Sequence, residues 1–147
     1  MTEPRRDPAE EVDLFREMIA ITGRLRAPGG CAWDRQQDLA SVLGYLRSEV
    51  GELEDALRRE DWQNLREELG DLLFNVLFIA DLAREQGRFD LADALRGIRD
   101  KLVRRHPHVF EEPRELTPEE AQVQWERIKA REKEARGREG GGTPGRA

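Results

Sequence analysis

Residues 42–57 read VLGYLRSEVGELEDAL and residues 65–83 read LREELGDLLFNVLFIADLA; the spacing of their apolar residues decides the fold. At about 100° per residue, with Val42 at zero, Leu46, Val50, Leu53, Ala56 and Leu57 fall within about 80° of one line, the stripe of an amphipathic helix. Arg47, Glu54, Asp55, Arg58 and Arg59 lie opposite, as solvated charges do. Glu49, however, falls about 20° from the centre of the apolar stripe, and Glu52 about 80° from it, at the edge. In the second stretch Leu65, Leu69, Leu73, Val76, Ala80 and Ala83 form one stripe. Phe74, Phe78, Ile79 and Leu82 make its later turns apolar on the other side as well, the pattern of a helix buried nearly all round. Glu68, Asp71 and Asn75 share that second side and are expected to face inward.

Outward from this pair the helical period continues. A first helix is expected from Pro8 to about Arg26, with Val12, Phe15, Ile19 and Thr22 in phase, Asp7 as its cap, and Ala27-Pro28-Gly29-Gly30 as its stop. The second runs from about Asp38 to Glu60. A third starts at Trp62, capped by Asp61, and ends near Gln86, where Gly87 supplies the stop. A fourth runs from Asp90 to about Arg105 and ends before His106-Pro107. Thr117-Pro118-Glu119-Glu120 marks a fifth N-terminus, with Thr at the cap, Pro at the first helical position and Glu three residues on. No strand and no internal repeat is found. The joins between helices two, three and four are too short to cross a bundle, so these are expected to be antiparallel neighbours. The expectation is an all-α antiparallel bundle of four to five helices, with residues 1–7 and 137–147 as disordered tails.

Composition bounds what such a bundle does. A chain of 147 residues is the size of one domain. Its 25 Lys and Arg against 31 Asp and Glu give a net charge of −6, which argues against a nucleic-acid binder, since that task needs basic excess to displace counterions. Cys31 is the one cysteine, so there is no internal disulfide. No segment approaches the roughly 18 apolar residues of a membrane span. A cytoplasmic location, with neither membrane nor nucleic acid as partner, is the expectation.

The inward acids carry the chemistry. Burying an ionised carboxylate costs several kcal/mol unless something positive compensates it, and two i, i+3 pairs on adjacent helices repel one another besides. A divalent cation among Glu49, Glu52, Glu68 and Asp71 removes both costs; arginine partners are the alternative. Oxygen donors suit Mg²⁺, with Mn²⁺ as substitute, better than zinc. A di-iron site needs Glu-x-x-His pairs, and the two histidines, His106 and His108, lie beyond the fourth helix. Mg²⁺ tends to share its shell with substrate phosphates, so the cluster points to phosphoryl chemistry. Lys101, Arg104 and Arg105 then serve either the helix dipole or a phosphate chain. Trp125 and Lys129, four apart, offer a nucleotide a ring and a charge, or are packing and surface.

The residues resemble the MazG family of all-α nucleoside triphosphate pyrophosphohydrolases from roughly Leu14 to Lys133. Residues 25–34, LRAPGGCAWD, are similar to its opening segment, which usually has Pro at the position of Ala32. Glu49 and Glu52 match the last two acids of its E-E-x-x-E motif, and Glu68 and Asp71 its E-x-x-D. Lys101 to Phe110 is near its consensus, and residues 124–129, QWERIK, resemble its closing helix. The resemblance implies a single domain over 8–135. It further implies hydrolysis of a nucleoside triphosphate at the α-β bridge to nucleoside monophosphate and pyrophosphate. Mg²⁺ would be held by the four acids, which are the catalytic set, and the triphosphate by Lys101 and Arg105, with Trp125 and Lys129 completing the pocket. Trp33 and Asn75 join these as substrate contacts. The resemblance also implies a homodimer or larger oligomer, with bundles completed across the interface. One departure stands out: the family motif begins with Glu where this chain has Ser48. The number of metal ions is thereby left open, and a non-catalytic helical nucleotide-binding or interaction protein that keeps the fold stands as the alternative.

Overall fold

The computed structural model describes residues 7–139. Seven helices follow in order: α1 (Ala9–Arg26), α2 (Ala32–Gln36), α3 (Leu39–Arg58), α4 (Trp62–Glu85), α5 (Leu91–Arg105), α6 (Pro107–Phe110) and α7 (Pro118–Glu139). Among the described residues there is no strand, so the all-α expectation holds. The chain divides into two compact units, one ending at Leu91 and the other beginning at Ala92.

Local signals in the sequence set most helix ends. The Asp38 carboxylate accepts from the Ser41 amide at 2.8 Å, and the Ser41 hydroxyl accepts from the Asp38 amide at 3.0 Å, closing a capping box at α3. Asp61 accepts from the Asn64 amide at 3.1 Å and caps α4 as expected. Gly87, at φ 66°, follows the end of α4 in the left-handed region that favours glycine. The Thr117 and Glu120 side chains accept from each other's amides at the start of α7, at 3.2 and 3.0 Å.

Several expectations are corrected. Asp7 does not cap α1; Pro8 occupies that position, and no side chain bonds there. Two short helices, α2 and α6, were not expected. α7 continues through Gly137 to Glu139, past the point where disorder was expected; the rest of the two expected tails, apart from Asp7, lies outside the described residues.

In the first unit α4 is the central element, packed on α3 and on α1, while α2 rests on α1. Val42, early in α3, packs with Phe78 and Leu82, late in α4, with Phe74 and Ile79 against them. Glu49, further along α3, meets Glu68 and Asp71, earlier in α4. Contacts that run forward on one helix and backward on the other define an antiparallel hairpin. The side of α4 bearing Asn75, Phe78 and Leu82 faces inward, and in its last turns Ala80 and Ala83 of the opposite stripe are buried as well. Leu69, Leu73 and Val76 of the opposite stripe remain 59%, 41% and 45% exposed, so α4 is not buried all round in one chain. The reason is simple: α1 and α3 cover only part of its circumference.

The second unit contains no fully buried side chain in α5, α6 or α7. Charge and ring contacts tie it together instead. Arg104 donates to Glu132 at 2.6 Å and Arg105 at 2.9 Å. The Arg105 guanidinium lies 5.1 Å from the centre of the Trp125 ring, and His106 meets that ring edge-on at 5.3 Å.

Candidate functional site

The hairpin brings the two acid pairs together. One carboxylate oxygen each from Glu49, Glu68 and Asp71 lies within 4.8 Å of the others, with Glu49 and Glu68 half-buried and Asp71 exposed. Glu52, one turn along α3 and exposed, stands outside that triple but beside Glu68. A hydrogen bond to Glu68, together with the repulsion of its charge, pushes the Glu52 carboxyl up. Glu68 is itself pushed up, first by its hydrogen bond to Glu49 and then by desolvation. Such shifts mark carboxyls that resist sharing a site as anions.

Oε2 of Glu49 and Oε2 of Glu68 are buried and have no hydrogen-bond partner. Among the described residues no Lys or Arg nitrogen comes within 4.0 Å of Glu49, Glu52, Glu68 or Asp71. Eight acids elsewhere do pair with arginines: Asp13, Glu54, Asp55, Asp81, Glu85, Asp93, Asp100 and Glu132. Neutralisation by arginine, the alternative open at the level of sequence, is not how this cluster is arranged. Carboxylate oxygens converging within 4.8 Å, two of them buried and unpartnered, fit a hard divalent cation.

Beside the cluster is a cavity of about 280 Å³. Trp33, Tyr45, Phe74 and Phe78 give it aromatic walls, Asp34, Gln37 and Asn75 give it polar groups, and Glu49 and Asp71 line it too. A small concave space with flat apolar walls and a few placed polar groups is the form of a small-molecule site. Asn75 is 8% exposed, and its side-chain amide donates to the Asp71 carbonyl at 3.0 Å. Trp33, by contrast, is largely exposed.

The other four substrate candidates belong to the second unit. Lys101 and Lys129 are exposed, the latter 3.9 Å from Glu126. Arg105 and Trp125 are in contact, but Arg105 and Arg104 are both engaged by Glu132. Sequence reading missed Glu132, because no short-range spacing reveals a partner 27 or 28 residues away. It also missed Asp34, Gln37 and Tyr45 as cavity residues, and Arg26.

Glu132 has a measurable consequence. The Arg105 and then the Arg104 guanidinium hold its carboxyl down at about 2, from an ordinary 4.5. A depressed folded-state pKa contributes stability that is present above about pH 4.5 and is lost as pH falls toward 2. Glu132→Gln is therefore expected to lower unfolding free energy by about 1–2 kcal/mol at neutral pH. The gap between variant and parent should close between about pH 4.5 and 2. Urea denaturation across that range checks it, and a gap independent of pH would contradict the pairing.

Fold and site together define a class: an all-α protein that gathers carboxylates between antiparallel helices next to a cavity for a small molecule. The family described as "MazG nucleotide pyrophosphohydrolase domain" matches residues 37–110, across both units. The chain belongs to that family. A relative named nucleoside triphosphate pyrophosphohydrolase, from Escherichia coli strain K12, is 47% identical over 117 residues, 79% of this chain and 44% of its own. One from Thermotoga maritima, named nucleoside triphosphate pyrophosphohydrolase/pyrophosphatase MazG, is 45% identical over 120 residues, 82% of this chain and 46% of its own. The chain thus spans less than half the length of these curated relatives. The crystal structure of a mazG-related protein from Thermotoga maritima superposes with a TM-score of 0.69 at 31% identity, covering 78% of this chain and 98% of that one.

Proposed function

We propose that this chain hydrolyses nucleoside triphosphates to nucleoside monophosphate and pyrophosphate, clearing surplus or non-standard nucleotides in the cytoplasm. Glu49, Glu52, Glu68 and Asp71 would hold Mg²⁺, or Mn²⁺ in its place. The observation that carries the reading is the pair of buried, unpartnered carboxylate oxygens opening beside an aromatic cavity. A bound divalent ion supplies charge withdrawal from the phosphate oxygens and orientation of an attacking water. The chain does the rest. Trp33 and the aromatic walls take a base and exclude water, and Asn75 adds a polar contact. Lys101, Arg105 and Lys129 balance phosphate charge, the two ammonium groups being exposed and the guanidinium stacked on Trp125. Residues 8–135 act as one domain in this reading, which the family match across both units supports.

A homodimer or larger oligomer belongs to the proposal. Its support is the exposed stripe Leu69, Leu73 and Val76, together with a second unit that buries no side chain fully in its helices. Second copies would complete the bundle over these faces. No helix among the described residues is long and apolar enough to cross a membrane.

Ser48, exposed on α3 where the family motif has Glu, favours the second reading, a non-catalytic helical nucleotide-binding or interaction protein. One assay separates them. Incubation with mixed nucleoside triphosphates is expected to release pyrophosphate with Mg²⁺ and none with EDTA. No metal-dependent pyrophosphate from any nucleotide would favour the non-catalytic protein.

A further inference from the structure

The cavity wall formed by α2 has little of its own to hold it. α2 is five residues long with no buried side chain, and a single turn of helix does not persist unaided. Trp33, Asp34 and, just past its end, Gln37 nevertheless line the cavity. Two devices fix this segment. The Cys31 amide donates to the Leu25 carbonyl at 2.9 Å, with the chain so close at Gly30 that a Cβ there would stand 2.3 Å from the same oxygen. The second device is Arg26.

Arg26 closes α1, and its side chain is 9% exposed. Nη1 donates to the backbone carbonyls of Asp34 and Gln37, the latter at 3.3 Å, both at the C-terminal end of α2. The Asp34 carbonyl also accepts the Gln37 amide at 3.3 Å, so Nη1 is its second donor, while the Gln37 carbonyl lies just past the helix, where the last carbonyls have no partner further along it. Nε and Nη2 fork onto the two carboxylate oxygens of Glu85, at 2.9 and 2.8 Å, anchoring the group to the last residue of α4. The guanidinium also lies 5.1 Å from the centre of the Phe78 ring, itself a cavity wall. One planar cation thus ties α1, α2 and α4 together at the edge of the cavity, a geometry that a point charge such as lysine does not reproduce.

We infer that Arg26 is a positioning residue for the substrate: by clamping the carbonyls of Asp34 and Gln37 to Glu85 and Phe78, it sets where Trp33, Asp34 and Gln37 stand toward a nucleobase in the cavity. The inference rests on the proposed nucleotide site but concerns a group that touches neither the acid cluster nor the phosphates.

The test uses the full chain with Arg26→Lys, which keeps the charge and loses the fork. Gly30→Ala is the second variant, since it displaces the same segment from its other end. Amide hydrogen exchange is followed along the chain. Binding of the α,β-methylene analogues of the four common nucleoside triphosphates with Mg²⁺, and of Mn²⁺ alone, is measured by calorimetry. Both variants are expected to speed exchange at least tenfold in residues 31–37, leaving 49–75 unchanged, and to weaken analogue binding at least tenfold while Mn²⁺ affinity holds. Where turnover is measurable, KM should rise with kcat nearly unchanged. Exchange that rises equally through α1, α3 and α4 would overturn the inference, as the arginine would then be a general staple. Fast exchange confined to residues 31–37 with unchanged analogue affinity would overturn it too. If the parent chain binds none of the analogues, the nucleotide reading fails, while localised opening in the variants still upholds the clamp.

Discussion

Glu49→Gln is expected to lower kcat for pyrophosphate release by about a hundredfold or more while leaving the fold as stable as the parent, or more stable. The two halves of this result share one cause. Oε2 of Glu49 is buried without a partner and belongs to a group of three carboxylates whose oxygens lie within 4.8 Å. In the absence of a cation that arrangement is a cost, because each carboxylate raises the energy of its neighbours' charged forms. Removing one charge at constant shape relieves the cost. The same change removes an anionic ligand from the proposed metal site. A purely structural acid behaves in the opposite way, destabilising the fold when removed and leaving specific activity in the survivors. Pyrophosphate release and urea unfolding without divalent ion, measured on the same preparation, distinguish the two.

Divalent cation should stabilise the chain markedly. A ligand that binds only the folded state at a hundred times its Kd adds about 2.7 kcal/mol. At roughly 2–4 °C per kcal/mol for a chain of this size, Tm should rise by about 5–10 °C. The gain is expected with Mg²⁺ and with Mn²⁺, and it should be absent in Glu68→Gln, since Glu68 contributes the second buried, unpartnered oxygen of the cluster. Potassium at matched ionic strength is the control: a comparable rise with K⁺ would reduce the effect to screening of a −6 chain.

What the sequence made legible was local or periodic. The Asp61 cap, the Gly87 stop and the Thr117–Glu120 box lie within one turn of the ends they set. The inward placement of Glu49 and Glu68 followed from their angle relative to Val42 and to Phe78. Which side of α4 would stay exposed was not legible, because Leu69, Leu73 and Val76 are as apolar as the side that packs, and only the positions of α1 and α3 decide between them. α2 was missed since five residues after Gly29-Gly30 offer no period to read. Arg26 was read as the end of a helix and as part of the family's opening segment, with no role of its own, because its partners Glu85 and Phe78 lie some fifty to sixty residues away. Long-range pairing of charges, as between Arg105 and Glu132, leaves no trace in spacing.

The most direct measurement is an anomalous difference map from crystals of this chain grown with Mn²⁺. A divalent site between α3 and α4 gives a peak bounded by the carboxylates of Glu49, Glu68 and Asp71, with Glu52 beside it. Carboxylates turned out into bulk solvent with no peak among them, or closed onto arginine side chains, would contradict it.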